Sequence, residues 1–214
     1  MMITVSKGCL KMMMNDIIIL RMRVTKEQAA ENRRKILAAA ARLFRAKGFD
    51  GVGVADVMAE AGFTHGGFYN HFDSKDALAA EACRCEITRS TDDATSTIGD
   101  DPTAWLDFAT DYLSERHRDR PREGCTVASL AADAGRQGTE VQDAFASGTE
   151  RMARVLATAM GEPEEAGLRL WSELVGAVVL SRAVKKSSPE LSEKILGATR
   201  GALPKRATRA SRKK

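Results

Sequence analysis

The stretch Ala61–Lys75, AGFTHGGFYNHFDSK, leaves the chain around it little freedom. Gly62 follows the apolar-periodic run Val54, Val57, Met58, Ala61. That is the place of a residue just past a helix end, where glycine takes the left-handed conformation with no Cβ penalty. Phe63 can then pack back on the helix it leaves. Thr64 is a good N-cap, so a second short helix is predicted to start almost at once. Two short helices joined by a tight glycine-containing turn form a helix-turn-helix, a unit that lays its second helix in the major groove of DNA. Phe68 and Phe72, four residues apart, would pin that helix to its neighbours and leave His65, Gly66, Tyr69 and Asn70 facing outward.

Charge is distributed to suit this. Residues 21–75 carry 10 Lys/Arg against 6 Asp/Glu, residues 76–204 carry 15 against 22, and residues 205–214 carry 6 bases and no acid. A basic head on an acidic body implies that the head meets phosphates and the body does not. Nothing else in the chain competes for a function. There is no Ser-His-Asp or Cys-His arrangement, no phosphate-cradling glycine loop, and no paired C-x-x-C among the 4 cysteines and 3 histidines. An enzyme, a metal site and a cofactor are therefore not expected. No apolar run approaches the roughly 18 residues of a membrane span, and Ile17–Leu20 is too short for a signal-peptide core, so a cytoplasmic protein with no membrane partner is expected.

The segment from about Arg33 to Leu78 resembles the DNA-binding domain of the TetR family of bacterial transcriptional regulators. The resemblance runs through Ile36, Ala40, Leu43 and Phe44, then Lys47-Gly48-Phe49, Val54, Val57 and Ala61-Gly62, then Phe68-Tyr69-x-His71-Phe72, Ser74-Lys75 and Leu78. Two places depart from the family pattern. Gly53 stands where a Ser or Thr cap is usual, and Gly66-Gly67 where the recognition helix commonly carries a bulkier side chain. The resemblance implies an all-α protein: an N-terminal three-helix helix-turn-helix domain, then a C-terminal helical domain for ligand binding and dimerisation. Boundaries follow as an unstructured extension over 1–22, the DNA-binding domain over 23–75, the effector and dimer domain over 76–204, and a basic tail over 205–214. It also implies that Thr64, His65 and Gly66 approach bases while Tyr69, His71 and Lys75 clamp the DNA backbone, with Asn70 beside them. His71 could equally be a turn-stabilising imidazole. Arg33, Arg34 and Lys35 are either a solvated helix face or phosphate contacts, Arg34 being the candidate retained. Were residues 1–22 an arm in the minor groove, Arg21 and Arg23 would be its contacts.

In order, the first long helix is predicted over Thr25–Lys47, and another from Ser74 to about Thr91. A polar linker follows from Thr91 to Asp101, closed by Pro102 at a helix start. The body reads as four or five helices. The first runs to about Arg118, Arg116–Glu123 is a charged loop, and the period over Glu140–Met160 breaks at Ser147-Gly148. The helices Pro163–Lys185 and Pro189–Leu203 are apolar on more than one face. This suggests burial against a second copy in a four-helix, two-fold interface. The resemblance implies an effector cavity, for which Trp105, Phe108, Tyr112, Phe145, Met152 and Trp171 are candidate lining, although large apolar residues at helical spacing are also ordinary core. Aromatic or lipophilic effectors are favoured over charged ones. Cys125, at a helix start near Arg122, could be a thiol sensitive to electrophiles or oxidants, or simply a small buried hydrophobe. The expected function is a homodimeric repressor that binds a palindromic double-stranded operator and is released by a small-molecule effector. Alternatives are an electrophile-sensing repressor acting through Cys125, and an effector-independent DNA-binding protein.

Overall fold

The computed structural model describes the backbone of residues 7–204 and the side chains of 26–204. The side chains of Arg21 and Arg23, and the whole basic tail, thus lie outside what is described. Helices follow in the order α1 Lys7–Lys47, α2 Val54–Ala61, a 3₁₀ segment His65–Asn70, and α3 Lys75–Ile98. Then come α4 Ala104–Tyr112, α5 Glu115–Asp119, α6 Thr126–Ala134, α7 Thr139–Met160, α8 Glu164–Val184 and α9 Pro189–Ala202. No strand occurs among the described residues. None of the helices searched among them is long and apolar enough to cross a membrane. α1 begins well before the expected Thr25, because no glycine or proline interrupts the chain between Cys9 and Lys47.

The head is a small core built by α1, α2 and the 3₁₀ segment under the start of α3. Ile36, Ala40 and Phe44 of α1 are buried at or near zero exposure, with Val57, Met58, Phe68 and Leu78 closing over them. Gly53 does cap α2, and Asp56 strengthens that start by accepting the Gly53 N–H at 2.9 Å, so the missing hydroxyl is partly replaced.

The expected linker after Thr91 is instead the last two turns of α3. Thr91, Ala94 and Ile98 recur at helical spacing and are all buried. The polar residues between them do not break the helix, because their hydroxyls bond back to carbonyls four residues earlier: Thr91 to Ile87 at 2.8 Å, Thr95 to Thr91 at 2.7 Å, Thr97 to Asp93 at 2.8 Å. Helix α4 starts at Ala104 behind Thr103 rather than at Pro102, and it ends at Tyr112. Ser114 then caps the short α5, its Oγ accepting from the His117 N–H at 3.2 Å, so part of the expected charged loop is helical. With α5 the body holds six helices, α4–α9, among the described residues.

Helix α7 runs unbroken through Ser147-Gly148. A Cβ on Gly148 would stand 2.1 Å from Ile87 Cγ2, so this glycine marks where α3 and α7 close on each other. On α8 the buried side is Leu170, Trp171, Leu174, Ala177, Val178 and Ser181, whereas Leu168 and Leu180 are exposed. Arg182, at the foot of α8, is spent inside the body: it donates to the carbonyls of Arg118 at 2.9 Å, His117 at 2.8 Å and Ala128 at 3.2 Å.

Candidate nucleic-acid interface and the cavity behind it

Gly62 ends α2 at φ +82°, the left-handed conformation that its glycine permits. The Gly62 N–H donates to Ala59 O at 3.1 Å and the Phe63 N–H to Met58 O at 2.8 Å, which satisfies the last carbonyls of α2 and turns the chain. Thr64 then opens the recognition segment without a side-chain capping bond. That segment is a 3₁₀ helix rather than the expected α-helix. The two adjacent glycines at its start are poor helix formers, and six residues are too few to recover the cost.

Its position is secured by aromatics. Phe68 is fully buried, stacks on Phe72 with centroids 5.8 Å apart and meets Tyr69 edge-on at 5.2 Å. Tyr69 is itself 69% exposed, so its hydroxyl end is presented to solvent from a rigid base. Thr64, His65, Gly66 and Asn70 are exposed around it, while His71 and Lys75 are half-buried at the following turn. A Cβ on Gly66 would meet nothing within 4 Å, so the backbone there is open to close approach. The turn after it is held from α1. Arg33 lies 4.1 Å over the Phe72 ring, donates to the His71 carbonyl and pairs with Glu81, its Nε 3.0 Å from Oε1. Arg34, by contrast, is exposed and reaches only Glu31, at 2.6 Å. Ser74 starts α3 by accepting the Ala77 N–H at 3.0 Å.

Behind the head lies a cavity of about 610 Å³ between α3, α4, α5, α7 and the loop leading into α6. Phe108, Tyr112 and Met152 form its apolar side, Arg89, Asp93, Asp111 and Arg116 much of its rim, and His117, Gly124 and Cys125 its inner edge. His117 is held as a neutral ring: Nδ1 donates to the Tyr112 carbonyl at 2.7 Å and Nε2 accepts the Cys125 N–H at 3.1 Å. Burial pushes its pKa down, the Tyr112 carbonyl pulls it up, and Arg182 pushes it down again, with a net lowering. The loop between α5 and α6 is also bonded to the head. Arg45 of α1, its side chain 5% exposed, donates twice to the Arg122 carbonyl at 2.9 and 2.7 Å and once to Thr126 Oγ1 at 3.3 Å, and it pairs with Glu86 at 2.9 Å. The Arg122 side chain pairs with Glu60 of α2 at 3.2 Å.

Residues 36–82 match the family model described as bacterial regulatory proteins, tetR family. The chain is 27% identical over 172 residues to the HTH-type transcriptional regulator LmrA of Bacillus subtilis, covering 75% of this chain and 92% of LmrA. It is 41% identical over 56 residues to the uncharacterized HTH-type transcriptional regulator YdgC of the same organism, 26% of this chain and 29% of YdgC. In fold it resembles the reduced form of E. coli NemR, with a TM-score of 0.68 at 20% identity, over 83% of this chain and 100% of that one. The head of this chain, residues 36–82, is a TetR-family DNA-binding domain. The protein is thus a helix-turn-helix transcriptional regulator and not an enzyme.

In the body behind this domain, the seven residues expected around an effector do not form one wall. Phe108, Tyr112, Met152 and Cys125 line the cavity together. Trp105 is buried in the core of α4, and Phe145 lines a separate shallow groove between α6 and α7. Trp171 packs behind Tyr112, ring centroids 5.2 Å apart, outside the lining. Of the α3 residues of the wall, Asp93, Ala94 and Thr97 fall in the stretch Thr91–Asp101 that is polar enough to suggest a linker, and the buried spacing Ile87, Thr91, Ala94, Ile98 is the signal that exposes them. His117, placed by sequence in a charged loop, belongs to α5 and to the cavity. Arg122 turns to Glu60, so the cation expected beside Cys125 is paired with the head. Among the described residues no group of three or more His, Cys, Asp and Glu is arranged to hold a metal ion.

Proposed function

We propose that this protein is a homodimeric repressor that works in the cytoplasm, reads a palindromic operator with two copies of the Thr64–Lys75 surface, and is released by a small, mainly apolar effector in the cavity beside Tyr112. His65 and the open backbone at Gly66 approach base edges, and Thr64 stands beside them. Tyr69, Asn70, His71, Lys75 and Arg34 contact phosphates. Two such surfaces enter successive major grooves only when held about one helical turn apart, ~34 Å. The exposed apolar residues Leu168, Leu180 and Leu191 on α8 and α9 support pairing of those helices with a second copy.

The observation that carries the reading is the shared wall. The loop that closes the cavity at Glu123, Gly124 and Cys125 is the one whose Arg122 carbonyl is gripped by Arg45 of the DNA-binding head. An effector that displaces the loop moves α1 with it, and near-complete release needs a preference of about 10⁴-fold, ~5.5 kcal/mol, for the displaced state. A footprint on the DNA flanking this protein's own gene tests the reading. Selective, salt-dependent protection that a cavity ligand removes is the expected result, and binding no better than to random DNA overturns it. A second reading keeps the same DNA surface and makes Cys125 the trigger, favoured by its place in the cavity lining. Iodoacetamide that modifies Cys125 no faster than a free thiol removes that version.

A further inference from the structure

The polar groups around the cavity are almost all committed to the protein. On the rim, Arg89 pairs with Asp93 and with Glu86, each at 2.9 Å, and Arg116 pairs with Asp111 at 2.9 Å. Arg120 lies 3.8 Å from Glu123, and Asp107 has a partner too. The wall hydroxyls are spent on their own helix: Ser90 donates to Ile87 O at 3.0 Å and Thr97 to Asp93 O at 2.8 Å. Both nitrogens of His117 are occupied by backbone groups. A ligand charge would therefore have to break an existing pair to be met.

The exception is Tyr112. Its side chain lines the cavity, the residue is 8% exposed, and its hydroxyl is buried with no hydrogen-bond partner. Leaving such a group unpaired is costly, and a site built this way rewards whatever supplies the missing partner. Burial first, then Cys125 through its charge and through a side-chain hydrogen bond, raise the Tyr112 pKa well above its ordinary value, so the hydroxyl keeps its proton; a thiol is a weak acceptor, and the geometry gives the hydroxyl no strong partner. Around it the surface is aromatic: Phe108 is tilted against Tyr112 with centroids 6.0 Å apart, and Met152 adjoins them in the lining. Tyr112 and Cys125 line the same cavity and the hydroxyl is buried just beneath that lining, so an acceptor reaches it by parting the two side chains.

We propose that the cavity takes a neutral aromatic molecule carrying one hydrogen-bond acceptor, such as a carbonyl oxygen, which accepts from the Tyr112 hydroxyl while the rings lie against Phe108 and Met152. This rests on reading the cavity as the effector site, and it adds the chemical class and the residue that selects it. Benzophenone and diphenylmethane have the same two phenyl rings and differ at the bridging carbon, where only benzophenone carries a carbonyl oxygen. They are titrated in the dark into the full-length protein, without DNA, and followed by calorimetry.

Wild type is expected to bind benzophenone about tenfold more tightly than diphenylmethane, and Y112F to hold diphenylmethane as before while losing most of the preference. Because the hydroxyl has no partner in the unliganded protein, Y112F is also expected to melt no lower than wild type. Equal binding of the two probes by wild type, no binding of either, a preference that survives in Y112F, or a melting temperature of Y112F lowered by several degrees would each overturn the proposal. The assay contains no DNA, so its failure is separate from that of the regulatory reading. A protein that prefers benzophenone through Tyr112 yet never leaves its operator would keep this inference and lose the other.

Discussion

Arg33, Arg34 and Lys35 look equivalent along the chain, and packing separates the first two. Arg33 is occupied by the Phe72 ring, Glu81 and the His71 carbonyl, so it positions the turn after the recognition segment. Arg34 stays on the surface. Lys75 sits in the first turn of α3, beside the recognition segment, where an ammonium can meet a phosphate. Replacing it with alanine is expected to weaken binding to all duplexes alike and to reduce the slope of log affinity against log salt by about 1, measured by anisotropy across salt concentrations. A K75A protein with altered sequence preference and an unchanged slope would contradict that role. His117 gives a pH dependence with a definite sign. Its folded pKa is lowered, chiefly by burial, while the unfolded chain takes its proton near the ordinary value of about 6.5. The stability tied to its neutral ring is therefore complete above about pH 6.5 and is lost as pH falls below that value. A protonated ring also cannot accept the Cys125 N–H. The melting temperature should fall between pH 7.5 and 5.5 and fall less in H117Q; parallel curves for the two proteins would rule this out.

Among the helices, the differences from expectation share one cause: short-range signals compete with packing partners far along the chain. Thr91–Ile98 is polar enough to pass for a linker, but three buried side chains at helical spacing hold it in α3. Ser147-Gly148 looks like a break, but the missing side chain is what lets α7 approach Ile87 of α3. An alanine at 148 would gain about 1 kcal/mol of helix propensity. Against this, overpacking costs ~1–3 kcal/mol, and Ile87 is buried with little room to move. G148A should therefore lose about 1 kcal/mol net in urea unfolding, and I87A should absorb the clash, so that the double mutant is more stable than the sum of the two single changes. Strict additivity would show that the helices do not touch there.

For the whole molecule, the legible part was the head. Its spacing of Ile36, Ala40, Phe44, Val57, Phe68 and Phe72 follows the 3.6-residue period and tight-turn chemistry closely, and all six are buried as that period requires. The body was legible as helices but not as walls, because each wall draws on residues scattered from α3 to α7. In the proposed dimer the exposed apolar residues of α8 and α9 would meet a second copy. Introducing L180E and L191E together should leave a folded monomer by sedimentation and weaken operator binding at least tenfold, since the two recognition surfaces would no longer share a fixed separation. A dimer that persists in this variant would move the interface elsewhere.

The amino-acid order by itself determined the all-helical class, the helix-turn-helix and the side of it that faces outward. These depend on local periodicity, a glycine at a left-handed turn and two aromatics four residues apart, all contained within a few turns of chain. Tertiary structure alone decided that Arg33 holds the turn after the recognition segment while Arg34 does not, and that an unpartnered Tyr112 hydroxyl lies beside the cavity whose closing segment is gripped by Arg45. Each of those depends on contacts between residues tens of positions apart, whose geometry no local pattern encodes.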